Sequence, residues 1–237
     1  PQTFNLAVLN PAEQFAAAME QALRQQAIAV RQTVITQNPS PIAGPELAMV
    51  ESPEVRDLML VANRDSDNLY AEALFKTMGV TAGGNIAEGD DVAEASRAGG
   101  ETVRAALAEM GVNAAGLRLT DGSGLSRHNL VSPDALVETL QVMTTHPQGR
   151  FFRASLAIAG QSGTLSNRLR GTVLEGRLQG KSGALTGNVS LSGYLQPPNY
   201  EPLVFNIVIN HSNQHASLLR QKIDELLLLV AQLREGC

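Results

Sequence analysis

Along the first two thirds of the chain apolar residues recur every three or four positions, and along the last third they alternate with polar ones. The first period is that of a helix with one buried face, the second that of a half-buried strand. Residues 5–10 form a short apolar run suited to a strand, closed by Asn10-Pro11, a good N-cap followed by a good first helical residue. Phe15, Met19, Ala22 and Leu23 then predict an amphipathic helix over 12–28, and 31–36 and 46–51 read as further strands. Between these last two, Asn38-Pro39-Ser40-Pro41 and Gly44-Pro45 mark a loop or a domain boundary.

Helices are predicted from Ser52-Pro53 to about Asn63, from Ser66-Asp67-Asn68 to near Gly79, and within 90–110. Gly99-Gly100 weakens the middle of the third by roughly 1 kcal/mol each relative to Ala. Ser132-Pro133-Asp134 caps a helix reaching about Thr145. Residues 177–183, 190–196 and 203–210 alternate as strands separated by Gly, Asn and Pro, and a helix over 214–233 closes the chain. Helices first, then strands, then a helix, predict an α+β arrangement with an antiparallel sheet.

Composition narrows the function. With 18 basic against 23 acidic residues the net charge is −5, no basic run exists to follow a phosphate backbone, and nine aromatics without Trp offer few surfaces for stacking bases. Nucleic acid is therefore excluded as a partner, and no apolar stretch is long enough to predict a membrane span. The one cysteine, Cys237, is silent about compartment. The chain opens on Pro1-Gln2-Thr3 with neither Met nor a basic-then-apolar leader, so its start is read as the boundary of a processed or longer product. Only three lysines are present, Lys76, Lys181 and Lys222, so any lysine chemistry must use one of them.

Several candidate motifs fail on context. Gly180-Lys181-Ser182 has the end of a phosphate loop, but Glu175 stands where its first glycine belongs and strand chemistry follows where a helix is needed. His211 and His215 have a ligand-like spacing without a Glu between them, so no metal site is expected. Gly160-Gln161-Ser162-Gly163 lacks the spacing of a nucleophile elbow.

A pair of short motifs fares better. Ser66-Asp67-Asn68 is S-D-N at a helix start, and Lys181-Ser182-Gly183 is K-S-G on a strand, a K-T-G variant that keeps the hydroxyl. Alone, the first is an ordinary capping cluster and the second ordinary turn chemistry. Together, in this order, they are two of the three signature elements of penicillin-binding proteins and class A β-lactamases.

The surrounding sequence is more specific. SDNLYAEALFKTMG from Ser66, DGSGLSRHNLVSP from Asp121, LAIAGQSGTLSNRLRGT from Leu156 and GKSGALTGNVSLSGYL from Gly180 together resemble the S13 peptidase family. These are the class C low-molecular-mass penicillin-binding proteins, D-alanyl-D-alanine carboxypeptidases and endopeptidases. The resemblance implies a β-lactamase/penicillin-binding-protein-like antiparallel sheet with flanking helices, incomplete at the N-terminus. Residues 1–44 would be the tail of an inserted domain and 45–237 the C-terminal part of the penicillin-binding domain.

It further implies a periplasmic setting, peptidoglycan stem peptides as substrates, β-lactams as ligands of the complete enzyme, and no cofactor. Ser66 would belong to a proton relay, Asn68 would hold the substrate carbonyl, and Lys181 and Ser182 would bind the terminal carboxylate. Gly183 would let a substrate backbone lie along the strand, and the Ala184 N–H would serve as an oxyanion donor. The family's S-x-x-K is missing: Ala73, Leu178 and Leu219 stand three places before the lysines. The chain by itself is therefore expected to be inactive. The rival readings are a non-catalytic peptidoglycan-binding or scaffolding module and a purely structural domain.

Overall fold

A computed structural model of the chain describes residues 8–35, 45, 49–82 and 92–234. The chain divides into two compact units, Pro1–Met49 and Val50–Cys237.

The first unit holds helix α1, Pro11–Gln25, started as the sequence predicts: the Asn10 side chain accepts the Glu13 N–H at 3.3 Å, and Pro fills the first turn, where its missing N–H costs nothing. None of its residues is buried, and its apolar positions Phe15 and Met19 are exposed. The expected strands are corrected here. Residues 8–10, 31–35 and 49–51 carry no strand, while 5–7, 36 and 46–48 lie outside the described residues. Alternation alone does not make a strand; it needs a neighbouring backbone to bond, and none of these stretches has one among the described residues.

In the second unit come α2 Val55–Arg64, α3 Asn68–Thr81, α4 Val92–Glu109, α5 Pro133–Thr145 and the short α6 Gly149–Ala154. Strands β1 Ala157–Ile158, β2 Leu178–Leu185, β3 Asn188–Leu195 and β4 Leu203–Ile209 follow, and α7 Ala216–Val230 ends the unit. The strands form one antiparallel sheet in the order β1-β2-β3-β4. Strands β2 and β3 are a hairpin closed by Thr186-Gly187, with Gly187 at φ +79°, a left-handed conformation that a tight hairpin turn needs. Helix α6 and strand β1 went unpredicted because six and two residues are too few to show a period.

Strand alternation sets what each face of the sheet does. On β3, Val189, Leu191 and Leu195 are buried against Leu219, Ile223 and Leu227, the inner stripe of α7 at four-residue spacing. Leu165, Leu174 and Leu178 complete this core, all fully buried. The other face of β3 carries Ser190, Ser192 and Tyr194, and Tyr194 Oη donates to the Leu140 carbonyl of α5 at 2.9 Å. Register places Lys181 opposite Ser192 and Gly183 opposite Ser190, so both belong to this polar face.

Helices α3 and α4 meet through glycine. A Cβ on Gly79 would lie 2.4 Å from the Ala95 carbonyl oxygen, and one on Gly99 would lie 2.5 Å from that of Phe75. Of the Gly99-Gly100 pair, read in the sequence as a weak point in α4, Gly99 is what lets the two backbones touch, while Gly100 admits the Leu119 carbonyl oxygen, which a Cβ there would meet at 2.5 Å.

Candidate active site

Two short backbone features bring the S-D-N and K-S-G motifs together. In the first, Asp67 caps α3 by accepting the Tyr70 N–H at 3.1 Å, so the bland reading of this motif as a capping cluster is correct as far as it goes. Ser66 just before it sits at φ +59°, a left-handed conformation that costs a non-glycine residue about 1–3 kcal/mol and that the surrounding packing must impose. This turn aims the Ser66 hydroxyl at strand β2. There it accepts a hydrogen bond from Lys181 Nζ at 2.6 Å, across 115 residues of sequence.

The second feature is the half-open edge of β2. Strand β1 pairs only with Gln179 and Gly180, so the 181–185 stretch has a strand partner on the β3 side and none on the other among the described residues. Lys181 Nζ also donates to the Ser182 carbonyl at 2.9 Å, and the Ser182 hydroxyl bonds the Thr164 hydroxyl at 2.8 Å.

These groups line a cavity of about 970 Å³, whose wall includes Ser66, Asn68, Lys181, Ser182, Gly183 and Ala184. All six residues singled out in the sequence thus share one wall. Among the described lining residues there is no Asp or Glu, while Lys181, Arg168 and Arg220 are cationic. The Arg168 charge is matched by Asp224 at 2.6 Å, but Lys181 has no ion-pair partner among the described residues. Burial pushes the Lys181 ammonium below the ordinary lysine range, because desolvation penalises the charged form. An uncompensated, half-buried ammonium beside hydroxyls and an open strand edge is suited to an anionic, extended ligand.

Sequence reasoning missed the groups that support this wall. Asn63 Nδ2 donates to the buried Ser155 hydroxyl at 2.8 Å, tying α2 to the end of α6. The Glu72 carboxylate accepts the Gly122 N–H at 3.1 Å and the Ser123 N–H and hydroxyl at 3.0 and 2.7 Å. Burial works against its ionisation, but the Ser123 bonds and Lys76 outweigh that and hold it below the usual carboxylate range. Asp121 folds the same loop on itself, accepting from the Gly124 and Ser126 N–H groups and from Asn129 Nδ2. Arg127 then donates to the Thr186 carbonyl at 3.1 Å, in the turn between β2 and β3. The D-G-S-G-L-S-R element is a bonded brace whose Ser123, Gly124 and Leu125 line the cavity. Its local turn bonds could be anticipated from Asp followed by Gly and Ser; its anchor on Glu72, 51 residues away, could not.

Comparison with known proteins gives a consistent result. A D-alanyl-D-alanine carboxypeptidase of Actinomadura sp. (strain R39) is 40% identical over 181 residues, 74% of this chain and 32% of that protein. The penicillin-sensitive carboxypeptidase A of Dictyostelium discoideum is 27% identical over 98% of this chain and 44% of its own length. The chain therefore spans a third to under half of these relatives. Among solved structures, penicillin-binding protein 4 (DacB) of Haemophilus influenzae, complexed with a β-lactam, superposes with a TM-score of 0.81 at 25% identity, over 96% of this chain and 53% of that one. The TLA-3 extended-spectrum β-lactamase shares the fold at a TM-score of 0.57 and 16% identity, over 91% of this chain and 80% of its own. The expected antiparallel sheet with flanking helices is thus the fold observed. A family model covers residues 1–230, and with it the segments whose motifs converge on this cavity: the chain belongs to the D-Ala-D-Ala carboxypeptidase 3 (S13) family.

Proposed function

We propose that this chain supplies the S-D-N and K-S-G part of the active site of a serine-type D-alanyl-D-alanine carboxypeptidase or endopeptidase acting on peptidoglycan stem peptides outside the cytoplasm, in the periplasm. The observation that carries the proposal is the 2.6 Å bond between Lys181 Nζ and Ser66 Oγ, on the wall of a cavity with no acidic group among its described lining. The peptide's terminal carboxylate meets the Lys181 ammonium and the Ser182 hydroxyl. Its backbone runs antiparallel to the open edge of β2 past Gly183, where a Cβ would stand 2.6 Å from Ser190 Oγ on β3. The Ala184 N–H faces the scissile carbonyl as an oxyanion donor, a role worth roughly 3 kcal/mol in enzymes that use one. The Asn68 amide holds the acyl side, and Ser66, which both accepts and donates, passes a proton toward the departing D-alanine nitrogen.

Covalent chemistry needs a serine whose Oγ attacks the carbonyl carbon, forms an acyl-enzyme as the amine leaves, and is freed by water. No S-x-x-K occurs in these 237 residues, so we assign that serine and its lysine to sequence outside them. The chain alone then binds without cleaving. Its lack of S-x-x-K equally favours a second reading, a peptidoglycan-binding or scaffolding module using the same cavity.

Two measurements test the proposal. Titration with an N-acylated peptide ending in D-Ala-D-Ala, followed by NMR, is expected to give saturable binding that Lys181→Met weakens at least tenfold, as loss of a charge-assisted bond requires. Incubation with a fluorescent penicillin is expected to give no covalent band. Absence of peptide binding, or a stoichiometric adduct, would overturn the assignment. An in-frame S-x-x-K in the coding sequence before Pro1 decides for the enzyme over the module.

A further inference from the structure

The 160–165 segment, which makes no nucleophile elbow, has a different place in the molecule. Gly163 sits at φ +55°, and a Cβ there would lie 2.1 Å from the Arg64 carbonyl oxygen, so its backbone rests against the chain two residues before Ser66. On its other side Leu165 is fully buried in the core under the sheet. The Gly160 N–H donates to the Leu165 carbonyl at 2.9 Å, and the Ile158 N–H to the Ser162 hydroxyl at 3.1 Å. Thr164 is therefore pinned from both directions, yet its own side chain is exposed on the cavity wall, 2.8 Å from the Ser182 hydroxyl.

Proton accounting gives this contact a purpose. Two hydroxyls carry two protons; one lies between them and one is left to donate. The Ser182 carbonyl, which accepts from Lys181 Nζ, has no proton to give, so the side-chain donor this residue can offer an anion is its hydroxyl. With an anion beside Lys181, both protons point the same way. The bond that the Ser182 hydroxyl donates to Thr164 Oγ1 then reverses: Thr164 donates to Ser182 Oγ, and Ser182 donates to the anion, each bond polarising the next.

We infer that Thr164 is a positioning residue for carboxylate recognition: it fixes the Ser182 hydroxyl as a donor toward the free carboxylate of a bound peptide. The inference rests on the reading of the cavity proposed above. Thr164 acts through Ser182 and selects a C-terminal acid over a neutral end of the same shape.

The test compares two N-acylated D-Ala-D-Ala peptides, one with a free carboxylate and one with a C-terminal amide, titrated by NMR against the full chain. Thr164→Val keeps the shape and removes the hydroxyl; it is expected to weaken the acid peptide by up to about tenfold, the upper end for one hydrogen bond between neutral hydroxyls, and to leave the amide peptide unchanged. Thr164→Ser is expected to restore the preference, and Thr164→Ala repeats the loss should Val crowd the site. Unchanged acid affinity in Thr164→Val, with the wild type binding normally, overturns the inference and leaves the cavity reading standing. Equal weakening of both peptides overturns it in favour of a merely structural role. If neither peptide binds the wild type, the cavity reading fails and takes this inference with it.

Discussion

Lys181 carries an ammonium into a wall with no carboxylate to meet it among the described residues, and most of its behaviour follows from that imbalance. Its ionisation in the folded chain is displaced below the ordinary lysine value by burial, whereas in the unfolded chain it is not. Below both values the burial penalty is present in full; as pH rises from the folded value to the unfolded one, the folded state sheds its proton first and the penalty eases. Wild-type stability relative to Lys181→Met should therefore rise with pH across that window and level off above it. A peptide carboxylate reverses the shift, so its affinity should be flat below the free-state value and fall by up to about tenfold per pH unit above it. Paired thermal melts and peptide titrations from neutral pH to about pH 11.5, past the ordinary lysine value, check both trends; a pH-independent stability difference would remove the burial shift, and a pH-independent peptide affinity would remove Lys181 from carboxylate binding. Lys181 and Ser66 were legible in the sequence because each lies in a short motif whose chemistry repeats. Thr164 and Glu72 were not, because their value lies in contacts 18 and 51 residues away that no local pattern encodes.

At the scale of elements, the glycines of α3 and α4 separate local preference from tertiary need. Gly99→Ala improves the intrinsic propensity of α4 by about 1 kcal/mol, yet its Cβ would stand 2.5 Å from the Phe75 carbonyl oxygen, which belongs to backbone and cannot rotate away. Overpacking against backbone costs roughly 1–3 kcal/mol, so after the propensity gain the substitution should lower net stability by up to about 2 kcal/mol. Urea denaturation measures the loss, and a peptide of α4 alone should become more helical with the same change. A stabilised full chain would show that the two helices can part freely. The same distinction explains which elements could be read in advance. The β2–β3 hairpin and the α7 stripe Leu219, Ile223 and Leu227 carry strong periods that match their burial, and α5 carries its own cap at Ser132, whose hydroxyl accepts the Ala135 N–H. Residues 31–35 read as a strand but have no neighbour to bond among the described residues.

At the scale of the molecule, stability and site reside in the same unit. Among the described residues every buried apolar side chain, from Ala62 to Ala231, belongs to Val50–Cys237, as does every residue on the cavity wall, from Asn63 to Arg220. The described part of the first unit offers one helix with no buried residue, held by its own cap, an i,i+4 bridge between Glu20 and Arg24 at 3.2 Å, and a bond from the Thr33 hydroxyl to Glu20. Fifteen helical residues with no buried face are marginal in water and add little to a core elsewhere. A protein of residues 50–237 should therefore unfold in one cooperative transition within about 4 °C of the full chain, the equivalent of roughly 1 kcal/mol for a domain of this size. It should also bind the D-Ala-D-Ala peptide with unchanged affinity. Circular-dichroism melts and the same NMR titration check the pair of expectations. A fragment without a cooperative transition would place part of the stabilising core in residues 1–49. One that folds but loses the peptide would place part of the site there, and would require the cavity wall to be extended beyond the residues that now define it.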